Sequence, residues 1–311
     1  MRCVRLGEGL QPLPIDAILA LMQDQIVVRT LCTLEEVRAC HAVQRGAWAF
    51  PDLLIIPYTQ LLTIQHNGGV VLGAFDGTEL VGFVFGFLGR WERGSLYLYS
   101  QRMGMLPAYQ GRGIGERLKW AQRDWALEHE LDCIAWTFDP LESPNATLNI
   151  TKLGGIVRQY RRDIYGQHDT PLHSGLPTDR FLLEWELKSA RVLARLSASS
   201  SPPDADAWLA ELGAPVNPPL WNEQGLPVCG APDLTRQDPL LLVGVPADWQ
   251  TLRKADSALA WEWRLRTREI FEHYLGQGYA VTGYARDTAP ERRHNLYLME
   301  RILPPPCRTC P

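Results

Sequence analysis

Lysine, long apolar runs and regularly spaced cysteines are all scarce in this sequence. Four lysines stand beside 27 arginines in 311 residues, and 35 acidic side chains outnumber the 31 basic ones, for a net charge of −4. That balance excludes a broad basic field for a nucleic-acid backbone or an anionic membrane surface. The longest apolar run, Leu80 to Leu88, falls well short of the roughly 20 residues of a membrane helix and reads as a buried strand. No apolar stretch of signal-peptide length follows Met1-Arg-Cys-Val-Arg5, so a cytoplasmic location is expected. The seven cysteines are odd in number and irregular in spacing, unlike a disulfide framework. Cys307-Arg-Thr-Cys310 has metal spacing but no second pair, and the histidines show no i, i+4 pair on one helix, so no metal is expected.

What is present, 46% hydrophobic and 21% charged, suits a folded chain with room for one large or two modest domains. A short helix is expected at 15–25 and a strand from Ile26 to Leu31. Thr33 with Glu36 forms a capping box that opens a helix running toward Trp48. Two apolar runs, Val70 to Phe75 and Leu80 to Leu88, flank Asp76-Gly-Thr-Glu79 and predict a hairpin. A third strand is expected from Ser95 to about Leu106, where Pro107 ends its ladder. Gly113 to Glu130 reads as a long amphipathic helix with Ile114, Leu118, Ala121, Trp125 and Leu127 as its inner side. Cys133 to Phe138 is then a strand, Asn145 to Leu153 a short helix, and Ile156 to Tyr165 and Phe181 to Leu187 two further strands. The order β α β β β α β α β β predicts an α/β fold on a mixed sheet.

Ser197-Ala-Ser-Ser-Ser-Pro-Pro203 is small, polar and proline-containing. Residues 188–206 are therefore expected to link a first domain, 1–187, to a second, 207–311. In the second, Leu241 to Pro246, Ser257 to Leu275, Tyr279 to Tyr284 and Leu296 to Met299 give β α β β, the order that ends the first. Leu153-Gly-Gly155 runs into Ile156-Val-Arg-Gln-Tyr160 with Asp163 beyond, and Leu275-Gly-Gln-Gly278 runs into Tyr279-Ala-Val-Thr-Gly-Tyr284 with Asp287 beyond. This points to a degenerate half-copy.

The chemistry-bearing motif is Met103-Gly-Met-Leu-Pro-Ala-Tyr-Gln-Gly-Arg-Gly-Ile-Gly115, between the third strand and the long helix. Gly111, Gly113 and Gly115 let backbone approach a ligand where the first N–H groups of a helix point outward. The helix dipole and Arg112 add positive potential, which suits a pyrophosphate. A P-loop is excluded, since no Gly-Lys-Ser/Thr follows, and a dinucleotide fingerprint is excluded because only Ile114 separates Gly113 from Gly115.

Gln110-Gly-Arg-Gly-Ile-Gly115 resembles the Gln/Arg-x-x-Gly-x-Gly/Ala signature of the GNAT superfamily of acyl-CoA N-acyltransferases, and Leu106-Pro-Ala-Tyr109 resembles its approach. The element order from 26 to 187 is also similar to that fold. The whole chain further resembles a subgroup of predicted GNAT acetyltransferases with a C-terminal extension, through Thr137-Phe-Asp-Pro-Leu141, Gly175-Leu-Pro-Thr-Asp-Arg180, Glu184-Trp-Glu-Leu187 and Trp263-Arg-Leu-Arg-Thr-Arg-Glu-Ile-Phe271. The resemblance implies a twisted, mostly antiparallel central sheet with its fourth and fifth strands splayed, followed by a C-terminal β-α-β-β half-domain. It implies acetyl-CoA or another acyl-CoA, succinyl-CoA included, as co-substrate. Backbone around Gly111, Arg112, Gly113, Ile114 and Gly115 would hold the pyrophosphate and the strand at Met103, Met105 and Leu106 the pantetheine arm, with Gln110 and Asn145 beside them.

Two departures bear on mechanism. The family's general-base glutamate, six residues before the proline, is Gln101 here, and the tyrosine of the short helix is Ile150 beside Asn149. Candidates to handle the proton are then Tyr99 and Gln101 through water, Asp139, and Tyr160 or Tyr165 as acid, with Asn149 donating a hydrogen bond. Direct attack by a small-molecule amine in a ternary complex needs no covalent intermediate. Two alternatives follow: a non-catalytic acyl-CoA-binding module, and a homodimer formed through a strand edge of the half-domain. Asp179-Arg180 reads as a local ion pair, Trp120, Trp125 and Trp136 as core, and Trp261 and Trp263 as covering a surface or groove.

Overall fold

Thr33 opens the first helix as its sequence requires: its hydroxyl accepts from Glu36 N–H at 3.2 Å, and the Glu36 carboxylate accepts from Thr33 N–H at 3.2 Å. The computed structural model describes residues 26–92, 94–166, 175–197, 203–287 and 294–302. The helix expected at 15–25 and the Cys307/Cys310 pair lie outside the described residues.

The first part of the chain runs β1 (Ile26–Thr30), α1 (Leu34–Trp48), α2 (Tyr58–His66), β2 (Val70–Asp76), β3 (Glu79–Arg90), β4 (Leu96–Met105), α3 (Ile114–Glu128), β5 (Cys133–Phe138), α4 (Ser143–Ala146, prolonged by a wide turn over Thr147–Lys152), β6 (Ile156–Arg161) and β7 (Arg180–Glu186). The second runs α5 (Ala190–Ser197), α6 (Ala205–Leu212), β8 (Pro219–Trp221), β9 (Pro227–Cys229), β10 (Leu240–Pro246), α7 (Trp249–Ala255), α8 (Ser257–Gly276), β11 (Tyr279–Ala285) and β12 (His294–Arg301). Helix α5 and the start of α6 fall within the stretch expected to be a linker, with 198–202 between them outside the described residues. The sequence also gave no sign of α2, whose Leu61 is its single fully buried residue.

Ten strands form one sheet in the order β1-β2-β3-β4-β5-β7-β6-β11-β12-β10. Every pairing is antiparallel except β4 with β5. This is the expected mixed fold with its parallel, splayed pair. Alternation sorts β2 and β3 into two cores: Val70, Leu72 and Val84 join the core that holds α3, whereas Val71, Phe83 and Phe85 join the core under α1 and α2. With both faces covered, these strands read as continuous apolar runs, as their sequences do.

The inner side of α3 differs from the apolar stripe. Gly115, Leu118, Lys119, Gln122, Arg123 and Ala126 are buried, while Ala121, Trp125 and Leu127 are only half-buried. Three of the inward residues are polar, so a count of apolar positions turns the helix toward the wrong face.

The strand order is symmetric about the β6–β11 pair. β5-β7-β6 meets β11-β12-β10 as its mirror in strand order, and β6 pairs β11 antiparallel with Val157 opposite Val281. Both halves carry a bulge directly after that valine: β6–β7 skips Arg158, and β11–β12 skips Thr282. Equivalent residues therefore meet on a local two-fold axis, the geometry of an isologous contact made within one chain. One strand edge of the C-terminal half is thereby taken by β6.

Candidate active site

The β4–β5 ladder is short. Only Leu98 with Ile134 and Tyr99 with Ala135 are in register, and beyond them the strands part. Immediately after Tyr99, β4 bulges against β3, since Gly86 pairs with Ser100 and Phe85 with Arg102, which leaves Gln101 as the extra residue. A bulge redirects one side chain and bends its strand. Gly86 permits it, because a Cβ there would stand 2.9 Å from the Tyr99 carbonyl oxygen.

Two cavities meet at this bulge. One, of about 250 Å³, fills the splay and is walled by Gln101, Met103, Lys119, Trp136, Asn145 and Asn149. The other, of about 720 Å³, lies on the α1–α2 side between Leu54, Ile55, Ile56, Phe85 and Phe87. Gln101 lines both. The segment between α1 and α2 that forms the outer wall is pinned from inside: the buried Gln44 amide exchanges hydrogen bonds with Ile56 N–H at 2.9 Å and Ile56 C=O at 3.1 Å. His41 Nε2 accepts from Tyr58 N–H at 2.8 Å, so its ring is neutral, and burial holds its pKa below the ordinary imidazole value. Arg102 reaches from β4 to donate to Leu54 C=O at 3.0 Å, with its guanidinium 5.4 Å from the Trp48 and Phe50 ring centres.

At the mouth of the splay lies the glycine loop. Gly111 and Gly113 have φ of +75° and +77°, and each faces open space where a side chain would stand. The ladder of α3 begins with Gly113 C=O accepting from Glu116 and Arg117 N–H at 3.1 and 3.2 Å, so the preceding N–H groups face outward at the positive end of the helix. Gly115 is different: a Cβ there would crowd the methyl groups of Met105 and Met103 at 3.1 and 3.2 Å. The loop is anchored by Gln110, which donates to Met105 C=O at 3.2 Å, and by Tyr109, whose hydroxyl donates to Asp76 at 2.8 Å. Arg112 is exposed over the Tyr109 ring, while Ile114 is buried in the core. Leu106 N–H donates to Val81 C=O at 2.9 Å, which fixes the end of β4.

The other expected residues divide. Asn149 is buried in the cavity wall, and Asn145 is exposed beside it. Tyr99 lines neither described cavity; its hydroxyl lies 3.5 Å from Thr137 Oγ1, which lies 3.1 Å from the Tyr165 hydroxyl, and burial raises its pKa. Asp139 is not available as a base, because both its oxygens are bonded to Arg264 at 2.8 and 2.5 Å. Tyr160 is not available as an acid: its hydroxyl donates to Asp179 at 2.7 Å, and burial pushes its pKa well above 10.0. The Asp179 carboxylate pairs with Arg268 at 2.8 Å twice, whereas the guanidinium of its neighbour Arg180 donates to the Asp179 backbone carbonyl at 2.8 Å and lies 3.6 Å from Asp139. Trp263 is core, donating to Pro227 C=O at 2.8 Å, and Trp261 is exposed.

The sequence reading missed Lys119. It is fully within the core of α3, with Nζ 2.7 Å from Ser100 Oγ, 3.4 Å from Gln122 Oε1 and 3.6 Å from the centre of the Trp136 ring. Burial lowers its pKa to about 7. The sequence signal was a lysine at i+4 from Gly115 on the inner face of a helix, in a chain with four lysines in all.

Residues 34–147 of the chain match the family model described as Acetyltransferase (GNAT) family. No curated protein matches the sequence. Among solved structures, the chain is similar to the ribosomal-protein-S18-alanine N-acetyltransferase of Escherichia coli at 16% identity and a TM-score of 0.43, over 53% of this chain and 96% of that one. It is similar to a GNAT family acetyltransferase from Elizabethkingia anophelis with acetyl-CoA bound at 16% identity and a TM-score of 0.40, over 52% of this chain and 99% of that one. Among the described residues no group of three or more His, Cys, Asp or Glu could hold a metal ion, and no helix is long and apolar enough to cross a membrane.

Proposed function

We propose that this chain is an acyl-CoA-dependent N-acyltransferase that transfers an acetyl or other short acyl group to the amine of a small molecule. The observation that carries the reading is the placement of Gln101, the bulged residue of β4, where the splay cavity and the α1–α2 cavity meet. The family match over 34–147 supports it. The outward N–H groups around Gly111 to Gly115 would take the CoA pyrophosphate, and the pantetheine arm would follow Met103 to Leu106 into the splay. The amine enters from the other cavity, and its nitrogen attacks the thioester carbonyl. The C–N bond forms, the C–S bond breaks, one N–H proton is lost, and CoA leaves as the thiol. Gln101 can donate a hydrogen bond at this junction but cannot take the proton, and Asn149 can donate one from the facing wall.

The acceptor cavity names a class of amine. Its lining is leucine, isoleucine, proline and phenylalanine with the uncharged polar Gln60, Thr63, Asn67 and Gln101, and no charged side chain is among those that form it. An amine on an apolar carrier fits that surface, whereas a polyamine or an amino acid would bring a charge with no partner.

The test is calorimetric binding of acetyl-CoA and succinyl-CoA beside thiol release over a panel of apolar amines, polyamines and amino acids. Binding with release confined to apolar amines is the expected result. Binding without release from any amine would assign a non-catalytic acyl-CoA module, and absence of binding would remove both readings.

A further inference from the structure

The reaction just proposed needs a group that accepts a proton near neutral pH, and neither Gln101 nor Asp139 can serve. Among the side chains that wall the two described cavities, the ionisable ones are Arg102 and Lys119. An arginine holds its proton at any physiological pH, and Arg102 is in any case committed to Leu54 C=O. From the geometry, and resting on the transferase reading, we infer that Lys119 takes the proton of the attacking amine through the hydroxyl of Ser100.

The placement suits both protonation states. Ser100 Oγ stands 2.7 Å from Nζ, is buried, and lines the splay cavity next to Gln101. A hydroxyl accepts from an ammonium and, on rotating, donates to a neutral amine, so one contact serves before and after transfer. The Trp136 ring face, 3.6 Å from Nζ, supports the cation once formed. The neighbouring elements present Ser100 from β4, Trp136 from β5 and Gln122 from α3, none of them charged. The nearby α3 charges are engaged elsewhere: Glu116 pairs with Lys152 at 2.8 Å, and Arg123 donates to Leu187 C=O at 3.1 and 3.2 Å. No carboxylate is among these contacts, only the two neutral acceptors and the ring, so burial brings the lysine pKa down to about 7.

The step balances. As the amine nitrogen bonds to the thioester carbon, its proton passes to Ser100 Oγ while the Ser100 proton passes to the lone pair of Nζ. When the C–S bond breaks, the departing sulfur carries the electron pair and the Lys119 ammonium returns its proton by way of solvent, leaving an amide, CoA thiol and a neutral lysine.

Two measurements on the full chain test this. With 13C-labelled lysine, four Cε signals are followed against pH, Lys119→Met identifying the signal of interest; the expected midpoint is near 7, and a midpoint near 10 overturns the inference. Thiol release at saturating acetyl-CoA is then followed against pH with the best apolar amine. The wild type should show a limb that rises through about pH 7. Lys119→Met should lose that limb and roughly 100-fold in rate with its acetyl-CoA affinity within threefold of wild type. Retention of the limb in Lys119→Met overturns the role while leaving the transferase intact. Absence of thiol release from the wild type sinks the transferase reading, and the role with it, whatever the lysine signal does. Should Lys119→Met not fold, Ser100→Ala supplies the second reading: it should cut the plateau rate at least tenfold while the lysine midpoint stays below 9, and an unchanged rate overturns the relay.

Discussion

Arg264 on α8 grips Asp139 at the end of β5 with two hydrogen bonds of 2.8 and 2.5 Å, the guanidinium buried and the carboxylate nearly so. Burial alone would raise the Asp139 pKa; the Arg264 and Arg180 charges more than offset it and hold the carboxyl below its ordinary value. The pair joins the two halves of the sheet at the C-terminal end of a splayed strand, where a free carboxylate would have been a base.

A first prediction follows. Asp139→Asn leaves the Arg264 guanidinium buried without its counter-charge, and breaking one side of a buried pair costs about 3–5 kcal/mol. Denaturant titration should show that loss, while thiol release per folded molecule stays within about twofold of wild type. A rate loss larger than the folded fraction accounts for would return Asp139 to the chemistry.

Much of this was legible in the chain itself, for physical reasons that differ by element. The capping box at Thr33, the Asp-Gly turn at 76–77 and the glycine loop at 111–115 are local signals, set by backbone chemistry within a few residues, and the structure places each where the sequence does. The bulge that frees Gln101 is not local, because it depends on the register between β3 and β4 and on the missing side chain of Gly86. Lys119 was hidden for a related reason: a lysine counts as an outer residue unless something inside receives it, and here Ser100 and Trp136 come from the strands on either side of its helix, whose packing the local sequence does not encode. Asp139 looked available because Arg264 stands 125 residues away.

The glycine loop makes a second prediction. At Gly113 the backbone has φ of +77°, a region that costs a residue with a Cβ roughly 1–2 kcal/mol, and the space beside it is open. Gly113→Asp adds that strain and a negative charge where a pyrophosphate would sit. Calorimetry should show acetyl-CoA affinity reduced at least tenfold, with the thermal unfolding temperature lowered by only a few degrees. Equal affinity would place the donor elsewhere.

The acceptor cavity makes a third. Ile56 is held at the cavity wall by its two backbone hydrogen bonds to Gln44, so its side chain can be changed without freeing the loop. Ile56→Asp puts a charge into an apolar surface, and the KM for an apolar amine should rise at least tenfold while acetyl-CoA binds as before. A KM that does not move would mean that the amine approaches from another side.

The last prediction concerns Lys119 and stability. In the folded chain its amine titrates at about 7, whereas an exposed lysine titrates near 10.4, so between those values the unfolded chain binds the extra proton. Folding therefore carries a penalty that is complete below pH 7, amounts to about 4 kcal/mol at neutrality, and fades as pH rises toward 10.4. Lys119→Met keeps the volume and removes the titration, giving up the hydrogen bonds to Ser100 and Gln122. Its unfolding temperature should exceed that of the wild type by roughly 5–10 °C at pH 6–7, and the gap should close as the buffer is raised to pH 10. Thermal unfolding of both chains across that range measures it. A gap that stays constant with pH would mean that Lys119 is charged in the folded protein throughout, and a variant less stable than wild type at pH 7 would mean that the lysine is held by its contacts for stability.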